Sequence, residues 1–204
     1  MFALLLNFGH GQSYFSISLD GNWNRSDIMS FGWGSHLQLQ IEESPWHLNW
    51  QMTLGGDTDG NLYLRAAAPT LLYKKRSYWQ YSPDSTSTTP VADKISYKIF
   101  AAIFPLVCPV GVTYNLKPFN DNFSMGIYAN PLLADYWRAS DRVASWTIEG
   151  GFKFYFPGMK DSGAHINIGA ARVHNMYHYE NADYRNGWMF TFTLGLGGGI
   201  GTNL

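Results

Sequence analysis

The sequence predicts an all-β chain that closes into an antiparallel up-and-down transmembrane barrel. Three observations predict it. Apolar and polar residues alternate with a period of two through most of the chain. The polar set is built from amides, hydroxyls, imidazoles and glycine rather than from lysine and glutamate. Charged residues are only 14% of the total, while aromatics reach 17%, against about 25% charged in an ordinary soluble domain. Period two is the signature of a strand with one buried face. A polar face with few lysines and glutamates suits a wet, crowded interior better than bulk water. The pattern therefore reads inside out, with apolar side chains toward lipid and polar ones toward a lumen.

The first element is open to two readings. Phe2-Ala3-Leu4-Leu5-Leu6 resembles the apolar part of an export signal, yet it lacks a basic start and an A-x-A-like exit. Residues 1–12 are thus a signal remnant or a short first strand, and residues 13–204 form one barrel domain. Phe15, Ile17 and Leu19 then alternate with Ser16, Ser18 and Asp20. The clearest hairpin spans residues 31 to 54. Phe31, Trp33, Leu37, Leu39 and Ile41 oppose Gly32, Gly34, His36, Gln38 and Gln40, and Trp46, Leu48, Trp50, Met52 and Leu54 oppose His47, Asn49, Gln51 and Thr53. Glu42-Glu43-Ser44-Pro45 breaks the two runs.

Further strands follow at Leu62–Ala66, Val110–Leu116, Phe123–Ala129, Trp146–Phe156, Ile166–Ala170 and Trp188–Leu196. Tyr97 to Phe104 is apolar on both sides and reads as one more strand, while Leu132 to Arg138 reads as one or two helical turns. Turn chemistry fills the gaps at Gly55–Gly60, Lys117–Asn122 and Pro157–Gly163. Longer loops are expected over Lys74–Lys94, Pro131–Ala144 and Asn175–Asn186. The count depends on Pro105 to Pro109: a turn there gives ten strands, a kink nine, or ten again if residues 2 to 8 form a strand. The expectation is roughly eight to ten, with ten favoured because single-chain barrels of this kind have even counts.

Bulk properties exclude other classes. The net charge of −1 gives no basic field for nucleic acid. No window approaches the 18 or more apolar residues that a spanning helix needs. Cys108 is the single cysteine, so no internal disulfide forms, and it reads as a small apolar residue near a strand end.

Candidate residues sort by face. Glu42, Arg65, Lys98, Lys117, Glu149 and Lys153 are the charges assigned to the lumen. Enclosed charges must pair or stay hydrated. Arg65, Glu149 and Lys153, with Gln38, Asn49 and Gln51, are expected to build a polar plug or, alternatively, the lining of a narrow pore. Trp33, Trp46, Trp146 and Trp188 fall at or near strand starts on the apolar face, where interfacial rings belong. Tyr78, Trp79, Tyr81, Tyr136, Trp137 and Arg138 are placed in long loops as binding residues. His174, His178 and Glu180 are close in sequence but lack the geometry of a metal site. Asp57-Thr58-Asp59-Gly60 lacks the later bidentate acid of a calcium loop. The run Gly195 to Gly201 opens no helix and is no nucleotide fingerprint. No metal or cofactor is called for.

In strand rhythm the chain resembles small bacterial outer-membrane barrels of the OmpA-like and OmpW-like kind. The resemblance covers nearly the whole chain, except that such proteins usually end on an aromatic residue and this one ends Thr202-Asn203-Leu204. It implies the bacterial outer membrane, with outer-membrane lipid as a partner and another envelope protein as a possible second partner through the loops. The implied role is structural or binding, without catalysis. Alternatives are a narrow porin and a soluble barrel for an apolar ligand. A local stretch, His178-Tyr179-Glu180-Asn181, is similar to the His-x-Ser-Asn segment of outer-membrane lipid A deacylases. Glu180 replaces the nucleophilic serine and Phe192 stands near the expected acid, so that hydrolase is an alternative with His178 as its carried-over residue.

Overall fold

The structure is a computed structural model that describes residues 14–24, 29–41, 44–67, 108–116, 123–138, 142–157, 162–175 and 187–199. The described strands are β1 Tyr14–Asn24, β2 Met29–Gln40, β3 Trp46–Asp57, β4 Leu62–Ala67, β5 Gly111–Asn115, β6 Ser124–Arg138, β7 Arg142–Pro157, β8 Ser162–Asn175 and β9 Gly187–Gly199. Every pairing among them is antiparallel. Pairing of β1 with β9, from Tyr14↔Gly199 to Asn24↔Met189, closes β1, β2, β3, β4, β6, β7, β8 and β9 into a ring of eight. Closure removes the sheet edges that would otherwise expose unpaired backbone.

The ninth strand explains why ten was the wrong number. Toward one end of the wall, β3 pairs with β4 through Thr53–Gly56, and toward the other it pairs with β5 through Trp46–Asn49. On the opposite side, β6 does the same through Leu133–Arg138 and Gly126–Ala129. Val110 completes the splice, its N–H donating to Asn49 O at 2.7 Å and its carbonyl accepting from Leu132 N–H at 3.1 Å. β4 and β5 therefore share one place in the ring, and their two alternating runs count as a single stave. The further strand expected at Tyr97–Phe104 lies outside the described residues, as do residues 1–12.

Register sets the shape. One row of pairs runs Met125↔Phe154↔Ile166↔Leu194↔Leu19↔Trp33↔Leu54↔Leu64 and returns to β6 at Tyr136. The return point is eleven positions from the start, one of them the bulge between Asn130 and Leu133. Such stagger requires strands tilted by about 40° around an interior that side chains can fill. The same row is an unbroken apolar girth, with Leu194 and Leu19 more than 40% exposed and Trp33 72% exposed.

The opposite face holds Ser, Asn, Gln, Thr, His and the charges, nearly all buried. Trp50, Phe154 and Phe192 alternate with inward polar residues and do not share a dry core. Among the described residues, buried apolar side chains form two small clusters, Ala67/Val110/Leu133 beside Cys108 at the splice and Ala171/Val173/Met189. The β3–β4 turn shows its local cause: Asp57 Oδ1 accepts from Asp59 N–H at 3.0 Å and Asn61 N–H at 2.9 Å, and Gly60 takes φ 81°, a left-handed conformation that glycine adopts at no steric cost.

Two loop expectations change. Pro131–Ala144 is not a long loop: β6 runs through Arg138 and β7 starts at Arg142. The helical turns expected over Leu132–Arg138 are strand. The bulge at Asn130–Leu133 inserts one residue and resets which side chains face inward, so the alternation is broken where the sequence was read.

Candidate functional site in the barrel lumen

Alternation on eight staves directs one residue in two into the lumen, where the described side chains form four groups. The largest centres on Asp135 of β6. Its carboxylate accepts from Arg65 Nε at 2.6 Å, Arg65 Nη2 at 3.0 Å, Tyr63 OH at 3.1 Å and Thr147 Oγ1 at 2.6 Å. The forked Arg65 contact is the bidentate geometry that guanidinium and carboxylate favour. Tyr63 OH accepts from Asn22 Nδ2 at 3.0 Å. Glu149 Oε1 accepts from Tyr128 OH at 2.8 Å and Thr191 Oγ1 at 2.7 Å. Glu149 Oε2 lies 3.5 Å from Arg65 Nη1, an ion-pair separation too long for a good hydrogen bond. These contacts join β1, β4, β6, β7 and β9 across the barrel.

The second group surrounds Asp20. Ser18 Oγ donates to Oδ1 at 2.9 Å, His36 Nε2 lies 3.1 and 3.2 Å from the two oxygens, and Thr53 Oγ1 donates to Oδ2. Space for this carboxylate comes from Gly34, where a Cβ would strike Asp20 and Ser18. The third group is a row of amides. Gln38 Nε2 donates to Asn49 Oδ1 at 3.0 Å and Thr113 Oγ1 at 2.9 Å, Asn49 Nδ2 to Asn130 Oδ1 at 3.0 Å, and Asn130 Nδ2 reaches Gln51 Oε1 at 3.5 Å.

The fourth group lies toward the end where β1 begins and β9 finishes. Lys153, 2% exposed, holds its ammonium 4.9 Å from the Tyr155 ring centre and 5.9 Å from that of Tyr14. His165 packs edge-on against Tyr14 and His36 at 5.6 Å. Between this group and the amide row is a small cavity with room for roughly one water molecule.

Of the residues singled out from sequence, Arg65 and Glu149 come together. Lys153 shares their face but pairs with neither. Gln38, Asn49 and Gln51 join the amide row. Glu42, Lys98, Lys117, Tyr78, Trp79, Tyr81, His178 and Glu180 lie outside the described residues. Tyr136, Trp137 and Arg138, expected in a loop, are strand residues of β6 paired with β4. Trp46 opens β3 and Trp188 is the second residue of β9, both on the exposed face, whereas Trp33 and Trp146 are fifth in their strands. Trp146 is half-buried, with Nε1 donating to Pro131 O at 3.0 Å. His174 is exposed and Phe192 lies on the outer face. No group of three potential metal ligands converges among the described residues. Sequence reasoning missed Asp135, Asp20 and His36 as network members. Asp20 and His36 stood in plain alternation with the lumen residues, so their signal was readable.

No family model and no curated protein matches the chain. It is similar to a solved structure described as "De novo design of transmembrane beta-barrels", at 8% identity and a TM-score of 0.40, over 92% of this chain and 95% of that one.

Proposed function

We propose that the protein is a membrane-spanning barrel of the bacterial outer membrane with a solid polar plug, acting as a structural or binding element rather than as a pore or enzyme. The observation that carries this reading is the inversion of burial. Arg65 and Asp135 are at most 1% exposed, while Trp33, Leu196, Trp188 and Ile17 are 72%, 69%, 65% and 59% exposed. Water disfavours a continuous apolar girth of this kind, because monomeric soluble proteins rarely expose apolar patches beyond a few hundred Å². Acyl chains favour it.

Strand length agrees, since β1 has 11 residues and β7 has 16, and about 9 to 11 tilted residues cross the hydrocarbon. The interlocked lumen groups and water-sized cavity favour a plug over a channel. Partners are outer-membrane lipid against the girth and, through the connecting loops, another envelope protein.

Heat-modifiable migration tests the reading. The chain extracted from membranes should run differently on a denaturing gel before and after boiling, and should precipitate when detergent is removed. A detergent-free solution of folded monomer would sink the membrane assignment; steady conductance in planar bilayers would sink the plug. Phe152→Arg on the outer wall should cost about 2–4 kcal/mol in lipid if Phe152 sits near the bilayer midplane, read by urea unfolding in vesicles. The same change in water should cost little at this exposed site (49% exposed).

A further inference from the structure

We infer that the cavity beside Lys153 is a binding site for a small monovalent anion of halide size. Lys153 is buried, and among the described residues no carboxylate comes within ion-pair distance of it. The nearby carboxylate of Asp20 is already occupied by Ser18, His36 and Thr53. Two tyrosine rings attend to the ammonium, and rings satisfy a cation in part while accepting few of its three N–H bonds.

The rest of the lining is rich in uncommitted donors. Gln51 accepts from Asn130 through Oε1, and its amide nitrogen donates to nothing among the described residues. Asn167 makes no side-chain hydrogen bond, and its Oδ1 is buried without a partner. Acceptors on the same wall, Asn49 Oδ1 and Asn130 Oδ1, are engaged by Gln38, Thr113 and Asn49. Asn167 Oδ1 is an open acceptor in this lining, but the Lys153 ammonium and the uncommitted amide nitrogens of Gln51 and Asn167 outnumber it, and that balance favours an anion. The small size of the cavity favours a monatomic ion.

This inference does not rest on the membrane assignment, because the lumen has the same lining whatever surrounds the barrel. Its test is thermal unfolding of the full chain in detergent, with sodium bromide set against sodium gluconate at equal ionic strength. Bromide should raise the midpoint saturably by about 3–5 °C, as a ligand of the folded state does, and gluconate is too large to enter. Lys153→Met should abolish the difference. Asn167→Leu, which keeps the charge, should raise the half-saturating bromide concentration about tenfold and serves if the lysine variant does not fold. Equal midpoints in the two salts, an equal bromide response in Lys153→Met, or unchanged half-saturation in Asn167→Leu would each overturn the site.

Discussion

The two ends of the lumen solve the problem of enclosed charge differently. Around Asp135, each charge meets its counterpart: Arg65 lies between Asp135 and Glu149, Tyr63 and Thr147 donate to Asp135, Tyr128 and Thr191 donate to Glu149 Oε1, and Glu149 Oε2 has the 3.5 Å ion-pair contact with Arg65. Around Lys153, the cation is held by ring faces and borders a cavity. The first arrangement links five staves and is a fastening. The second leaves a donor-rich space and is a site. Burial alone does not separate them, since Arg65 is 1% exposed and Lys153 is 2% exposed; the partner inventory does.

The largest expected effect comes from breaking the fastening. Asp135→Ala leaves Arg65 buried beside a more distant Glu149 and deprives Tyr63 and Thr147 of their acceptor. Removing one partner of a buried pair costs about 3–5 kcal/mol. Urea unfolding followed by tryptophan fluorescence in lipid vesicles should show a loss of that size. Replacing both partners, Arg65→Met with Asp135→Leu, should be milder than Asp135→Ala alone, because no charge is then stranded. A double variant as damaged as the single would mean that the network's hydrogen bonds, not its charges, hold the staves.

How much of this was legible follows from how far each feature reaches along the chain. The assignment of faces is local: Ser16, Ser18 and Asp20 against Phe15, Ile17 and Leu19 declare it within six residues. Arg65 and Glu149 were recognisable as lumen charges for the same reason. Their meeting was not, because it depends on pairing across β4, β6 and β7. Asp135 was hidden by the bulge at Asn130–Leu133, which breaks the alternation at Pro131 and makes the segment resemble a loop. The splice of β4 and β5 is still less local. Leu62–Ala67 and Gly111–Asn115 are separate runs in sequence, and only their common partners β3 and β6 reveal one stave.

A middle-sized effect is expected at the terminal end. A Cβ on Gly195 would meet the ring of His165, which is itself fully buried against Tyr14, Tyr155 and His36. Gly195→Ala should therefore cost about 1–3 kcal/mol, the usual scale of overpacking. Adding His165→Ala should recover part of that loss, since the space then exists. If Gly195→Ala is neutral by the same urea measurement, the aromatic group yields easily and is not packed as the structure draws it.

The smallest effect should come from Lys153→Met in gluconate, and it is the sharpest probe of the contrast. The methionine keeps much of the stem length, and it removes a charge whose desolvation is offset by ring faces and, through space, by the Asp20 carboxylate. Stranded buried charge is costly, and apolar replacements of buried ionic groups are often neutral or stabilising. The expected change is within about 1 kcal/mol of zero, in either direction. Arg65→Met leaves the buried carboxylates of Asp135 and Glu149 without their cation and should lose several kcal/mol. A loss in Lys153→Met matching that of Arg65→Met would show that both cations are fastened alike, and the distinction between a stapled end and an open one would fail.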